Sequence, residues 1–237
     1  MTTAQSTDGH SSDGWTAAVR ERLGLGRLLP LGAAADGAWL AEQAATAELR
    51  LAAAAVPGVV PGRLRVSLHD PAGAGTPAVP APPSALPPGP LLIEGEFGAL
   101  VGEPLPAVAT RLRAALLACA TERLGLLVDE VDLRVTGLLD GPDDSTAPAG
   151  PVGVPAVDPQ SAAAFAVTEV PGVAHLTGTL GEAVEVAADH VRVELATAAG
   201  HRPPDVARAV RAAVTAAVPG ALPVAVVITA VERPGRE

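Results

Sequence analysis

The sequence predicts an α+β fold made of two tandem αββαβ units, each a small three-stranded sheet packed with two helices. The order helix, strand, strand, helix, strand occurs twice along the chain, and short residue matches accompany it. The offset between matched segments is 114 residues for the first match and 98 for the other two, and a proline-rich insertion in the first half accounts for this difference. The matched segments are Val56-Pro57-Gly58-Val59 with Val170-Pro171-Gly172-Val173, Pro106-Ala107-Val108-Ala109 with Pro204-Asp205-Val206-Ala207, and Arg113-Ala114-Ala115 with Arg211-Ala212-Ala213.

Composition excludes several classes of protein. The net charge is −10, and every basic residue is an arginine; because these are scattered, a general nucleic-acid binder is disfavoured. The single cysteine excludes a disulfide framework. No apolar run is long enough to cross a membrane, and no signal peptide is recognisable, so we expect a cytoplasmic protein. The abundance of Ala, Gly, Pro and Arg suggests a high-GC bacterial genome.

Residues 1–37 are expected to form a flexible tail followed by a short amphipathic helix. Trp15, Val19 and Leu23 recur every four residues, and Gly24, Gly26 and Pro30 then interrupt the pattern.

The first unit is predicted to span residues 38–138. A helix from residue 38 has Leu40, Ala44, Ala47, Leu51 and Ala55 on its apolar face, and alternation predicts a strand at 63–68. Eight prolines make residues 71–90 an extended, exposed insertion. A strand at 91–97 and a helix opened by Pro104 and Pro106 follow, and the last strand is at 130–136. The predicted inward-facing residues of these last two elements are Val108, Leu112, Ala115, Cys119, Val131, Leu133 and Val135.

A linker is predicted at 139–156 and the second unit at 157–232, with a charged tail at 233–237. The second unit comprises a helix at 159–170, a hairpin of 183–187 with 190–196, a helix opened by Pro203-Pro204, and a strand at 224–231 that is apolar on both faces. The buried face of the second helix is expected to hold Val206, Val210, Ala213 and Ala217. Units of this size are marginal alone, so we expect them to pack as one pseudo-symmetric domain.

The second unit resembles the alkaline shock protein (Gls-type) family of bacterial envelope stress response proteins. Three stretches carry the resemblance: Val170–Val173, the run from Val191 through Ala199-Gly200 to Arg211, and the valine-rich strand at 224–231. The resemblance implies a non-enzymatic, self-associating protein that acts at the inner face of the membrane through a membrane-anchored partner, without cofactor or catalytic residues. The chain departs from the family at Ala199, where an aromatic residue is frequent, in its proline-rich insertion, and in its tandem arrangement.

The residue patterns give no positive sign of catalysis. The histidines lack the spacing of a helical metal site, and no phosphate-binding loop or catalytic triad is recognisable. Cys119 lies on an apolar helix face, which favours a buried, inert thiol. We therefore predict no catalytic, cofactor or metal site.

Two sets of residues are candidate contacts with a partner. The first is a basic amphipathic segment suited to a protein partner or a peripheral membrane contact: Trp15, Arg20, Arg22, Arg27, Leu28 and Leu29. The second is an arginine face: Arg202, Arg208 and Arg211. Packing of the first set on the first unit, and simple solvation of the second, are the alternatives. Three functional hypotheses follow. The first is a scaffold that self-associates through sheet edges or exposed helices, and the second is a KH-like nucleic-acid module, which the absence of a Gly-x-x-Gly clamp disfavours. The third is a small-molecule sensor that binds its ligand between the repeats.

Overall fold

The structure, a computed structural model, describes residues 24–141, 153–220 and 222–233. Within these residues the chain forms nine strands and four α-helices, which confirms the α+β class. The strands are β1 (Leu28–Leu31), β2 (Ala38–Ala41), β3 (Val59–Leu68), β4 (Leu91–Leu100), β5 (Val128–Leu139), β6 (Val173–Leu176), β7 (Val184–Val186), β8 (Val191–Thr197) and β9 (Val224–Val231). The helices are α1 (Glu42–Ala54), α2 (Leu105–Ala118), α3 (Ala162–Thr168) and α4 (Pro203–Ala217).

The strands form two sheets of unequal size. The small sheet has the order β3-β4-β5, with β3 antiparallel to β4 and β4 parallel to β5. The large sheet has six strands in the order β1-β2-β9-β8-β6, and β7 pairs with β8 beside β6. In it, β8 is parallel to β9 and antiparallel to both β6 and β7, as the predicted hairpin requires. The expectation of three strands in each sheet is therefore wrong for the large one.

Three strands of the large sheet were not predicted: β6, and the pair β1 and β2 in residues 28–41, which were assigned to a tail and to the start of a helix. β1 and β2 form an antiparallel pair, and β2 adds parallel to β9. All four residues of each strand are buried. Short strands buried on both faces have no polar alternation, so the pattern that identifies a half-buried strand is absent here.

Helix α1 follows β2 directly and lies between the two sheets, packing against β2, β9 and β3. Its buried apolar residues are Ala45, Leu49 and Ala53, none of which belongs to the predicted face. The helix is alanine-rich on several sides, so the sequence does not define which face is covered. One continuous core extends from the small sheet across α1 to the inner face of the large sheet.

The remaining helices cover the inner faces of the sheets. Val108, Leu112 and Cys119 are buried as predicted, but Leu116 takes the place expected for Ala115. In α4, Val206 and Val210 are buried as predicted, and Val214 is buried in place of Ala213 and Ala217. Helix α2 continues as a π-helical turn, Cys119–Leu124. Among the described residues, no helix has both the length and the apolar character that membrane crossing needs.

The proline-rich segment covers the outer face of the large sheet. As predicted, residues 71–90 form neither helix nor strand, but they are docked rather than fully exposed. The Leu28 N–H donates to the Ser84 carbonyl (3.0 Å), and the Leu86 N–H donates to the Leu28 carbonyl (2.8 Å). Beneath the segment, Trp39 is 1% exposed, and its indole N–H donates to the Leu86 carbonyl at 3.2 Å. Val79 packs into the same apolar cluster as Trp39.

Candidate interaction surface

The structure divides the first set of candidate contact residues. Trp15, Arg20 and Arg22 lie outside the described residues. Leu28 and Leu29 are 1% and 0% exposed within β1, so in this fold they cannot contact a membrane or a partner. That part of the expectation is corrected, because the apolar segment completes a sheet instead of forming a surface.

Arg27 forms hydrogen bonds within the fold, at the β3 edge of the small sheet. Its guanidinium donates to both Glu42 carboxylate oxygens (3.0 and 2.9 Å) and to the Val66 carbonyl, while the Val66 N–H donates to Glu42 at 3.4 Å. Burial opposes ionisation of Glu42, but the bonds from Arg27 and Val66 outweigh it and hold the pKa of Glu42 below its ordinary value. The pair occupies the backbone groups of edge strand β3 at Val66, where another strand could otherwise add.

The Arg27–Glu42 pair predicts a specific acid sensitivity. Because the pKa of Glu42 is lowered on folding, its contribution to stability is present above the unfolded carboxyl pKa and is lost as the pH falls through the folded value. Glu42→Gln should therefore cost about 1–2 kcal/mol of unfolding free energy at neutral pH, and the difference from wild type should shrink in acid. Urea unfolding across the acid range tests this, with Glu103→Gln, a surface partner of Arg111, as control. A difference independent of pH would contradict the assignment.

The three arginines of the second candidate set also make internal contacts. Arg202 donates to the carbonyls of Glu122 (2.7 Å) and Thr121 (3.0 Å) within the π-helical turn. Arg211 donates to the carbonyls of Ala35 (2.8 Å) and Asp36, and Arg208 pairs with Asp205 at 2.9 Å. These contacts join α4 to the turn before β2 and to the first half of the chain.

A buried carboxylate links distant parts of the chain. The Glu48 side chain is 2% exposed, and it accepts from Arg123 (2.7 Å) at one oxygen and from Arg233 (2.6 Å) at the other. The two arginines belong to the π-helical turn and to the end of the chain after β9. Sequence inspection missed this contact because Glu48 and Arg233 are 185 residues apart.

Cys119 is buried, and His69 lies beside two carboxylates. Burial raises the pKa of the Cys119 thiol to about 11, so the thiolate that a nucleophile requires is disfavoured. His69 lies 3.3 Å from Asp129 and 3.0 Å from Glu130 at one end of the small sheet. Within the described part of the chain, no three His, Cys, Asp or Glu side chains are placed to hold a metal ion.

The outer face of the small sheet carries a charged groove. It carries charges of both signs: Arg65 lies opposite Glu94 and Glu94 opposite Asp132, while Glu96 lies opposite Arg134. These side chains, with Arg63, line an open groove of about 430 Å³. The groove lies on the outside of the sheet, not between the two halves, where the sensor hypothesis would place a ligand.

Strand β5 forms an open edge beside this groove. Among the described residues, no strand pairs with β5 on the side away from β4. Val131 is buried as predicted, but Val135, predicted to face inward, is 38% exposed, and Leu138 is 62% exposed. Self-association through sheet edges or exposed helices was expected, but not which strand has the open edge, because alternation identifies a strand without revealing its neighbours.

Comparisons with family models, with curated proteins and with solved structures gave no match to the chain.

Proposed function

We propose that the chain is a non-enzymatic scaffolding protein that acts by self-association and is built from two copies of one αββαβ unit. It resembles the alkaline shock family in the order and spacing of its second unit. The single observation that carries the proposal is the open edge of β5.

Strand pairing supports the duplication. In the first half, β3 is antiparallel to β4, which is parallel to β5. In the second half, β6 and the predicted hairpin strand β7 are both antiparallel to β8, which is parallel to β9, so this half has one strand more than the predicted unit. The helices fall at matching places, α1 and α3 before the first strand of each set and α2 and α4 before the last.

Local turns match as well. The first helix of each half is followed by a Val-Pro-Gly turn, and Gly58 and Gly172 both adopt left-handed backbone angles (φ 80° and 92°). Such angles favour glycine because it lacks a Cβ. The second helix of each half begins with proline in its first turn, a position where the missing N–H costs no helical hydrogen bond.

The two halves differ at one edge, and that difference favours self-association. Strand β9 is bordered on its far side by β2 of the same chain. Its counterpart β5 has no such neighbour among the described residues. An exposed edge strand presents unpaired backbone groups that can pair with another chain. At β9 this edge is occupied by β2 of the same chain, whereas at β5 a strand of a partner can occupy it.

Sedimentation velocity of the full chain over a wide concentration range tests the proposal. A mass that rises with concentration supports a self-associating scaffold, and a monomer at every concentration would overturn it. Cell fractionation followed by a high-salt wash tests the membrane-anchored partner that the resemblance implies. Recovery in the membrane fraction would support a cytoplasmic protein held at the inner face, whereas recovery wholly outside it would remove that part of the proposal.

A further inference from the structure

We propose that a second copy of this chain adds its β5 antiparallel to β5 at the open edge of the small sheet, with Leu133 opposite Leu133. The inference deepens the proposed self-association and rests on it, because it names the surface through which the copies join.

The backbone of β5 is available for such a pairing. The Val131 carbonyl accepts from Arg113 Nε at 3.1 Å, so the backbone groups of Val131 point away from β4. Backbone groups alternate along a strand, so those of Leu133 and Val135 point to the same side. Residues 131–135 lie between the two register shifts of the β4–β5 ladder and form its regular part. A carbonyl oxygen has two lone pairs, so Val131 can accept from a second strand while it keeps Arg113.

Charge complementarity selects the register. With Leu133 on the two-fold axis, Asp132 of each copy faces Arg134 of the other, and these pairs occupy the closely spaced positions of an antiparallel ladder. Within one chain Asp132 lies opposite the like-charged Glu94, and none of the described residues forms an ion pair with it. Arg134 is 81% exposed and reaches Glu96 only at 4.0 Å. The second copy therefore supplies each of these side chains with an opposite charge.

The apolar side of the strand fits the same register. Val135 of one copy lies against Val131 of the other, and the half-buried Leu133 side chains meet at the axis. This contact covers Val135, which is 38% exposed in the single chain. The other edge of the small sheet is a poorer site, because Arg27 and Glu42 already bond to the Val66 backbone.

Charge-swap variants of the full chain test the register by sedimentation and native mass spectrometry. Asp132→Arg alone places arginines opposite each other, and Arg134→Asp alone places aspartates opposite each other. Each single swap should weaken self-association at least about tenfold, because two attractive pairs become repulsive. The double variant should associate like wild type, and an equimolar mixture of the two single variants should form a heterodimer. Both side chains are exposed, so folding should be unaffected.

Arg65→Asp is the matched control for Arg134→Asp. It replaces an arginine by an aspartate on the same face of the small sheet, but in β3, the edge strand farthest from β5. This variant should associate like wild type. The proposed pairing would be overturned if the single variants associate like wild type. It would also be overturned if neither the double variant nor the mixture restores association. Either result would leave the proposed function standing. A wild-type chain that never associates would overturn the proposed function itself.

Discussion

Trp39→Ala should lower the free energy of unfolding by about 3–5 kcal/mol, the usual range for truncating a fully buried large aromatic side chain. Trp39 is 1% exposed and fills the outer face of the large sheet beneath residues 71–90. The substitution leaves a cavity and removes the bond to the Leu86 carbonyl. We also expect the proline-rich segment to detach and become sensitive to proteolysis, because Trp39 is the largest side chain beneath it.

Urea unfolding followed by far-ultraviolet circular dichroism, together with limited proteolysis, measures both effects. Trp39→Phe is the control, since it keeps much of the ring volume but loses the indole donor. The lost hydrogen bond should lower the free energy of unfolding by about 1 kcal/mol, in addition to the loss caused by the smaller ring. A loss below about 1 kcal/mol for Trp39→Ala, with unchanged proteolysis, would show that the outer face is not a packed layer.

Gly125→Ala should destabilise the chain by about 2–4 kcal/mol, because two penalties coincide at this position. Gly125 ends the π-helical turn in a left-handed conformation (φ 71°), which a residue with a Cβ adopts at a cost. A Cβ added there also collides with the ring of Pro204 in the first turn of α4. The substitution therefore strains the joint between the first half of the chain and α4.

Gly58→Ala provides a matched control for Gly125→Ala. Gly58 has a similar angle (φ 80°), but a Cβ added there meets no atom within 4 Å. It should cost only about 1 kcal/mol, the conformational penalty alone. Equal losses for the two variants in thermal or urea unfolding would mean that Gly125 and Pro204 are not in close contact.

Sequence patterns predicted the helices of both halves and six of the nine strands, but not β1, β2 or β6. Strand β9 was identified because it is apolar on both faces, and the β7–β8 hairpin because Val191, Val193 and Leu195 alternate with polar residues. β1 and β2 were missed because four buried residues in a row carry no period. The face of α1 was misplaced because alanine occurs on several of its sides, and only the two flanking sheets determine which residues are covered.

The candidate surface was much less predictable than the fold. Arg27 was predicted to contact a partner or a membrane, but it bonds to Glu42, which lies beyond β1, a short 3-10 turn and β2. The arginines of α4 were identified as a face, yet backbone carbonyls from the first half already accept hydrogen bonds from two of them. The open edge of β5 depends on which strands pair, and pairing over long sequence distances leaves no local periodic signal.

Hydrogen exchange of the backbone amides at low and high protein concentration tests the central claim most directly, namely that copies of the chain join along β5. The account predicts that the amides of Leu133 and Val135 exchange more slowly as the concentration rises, while the amide of Val66 at the β3 edge is unchanged. Association without added protection in residues 131–135 would contradict it.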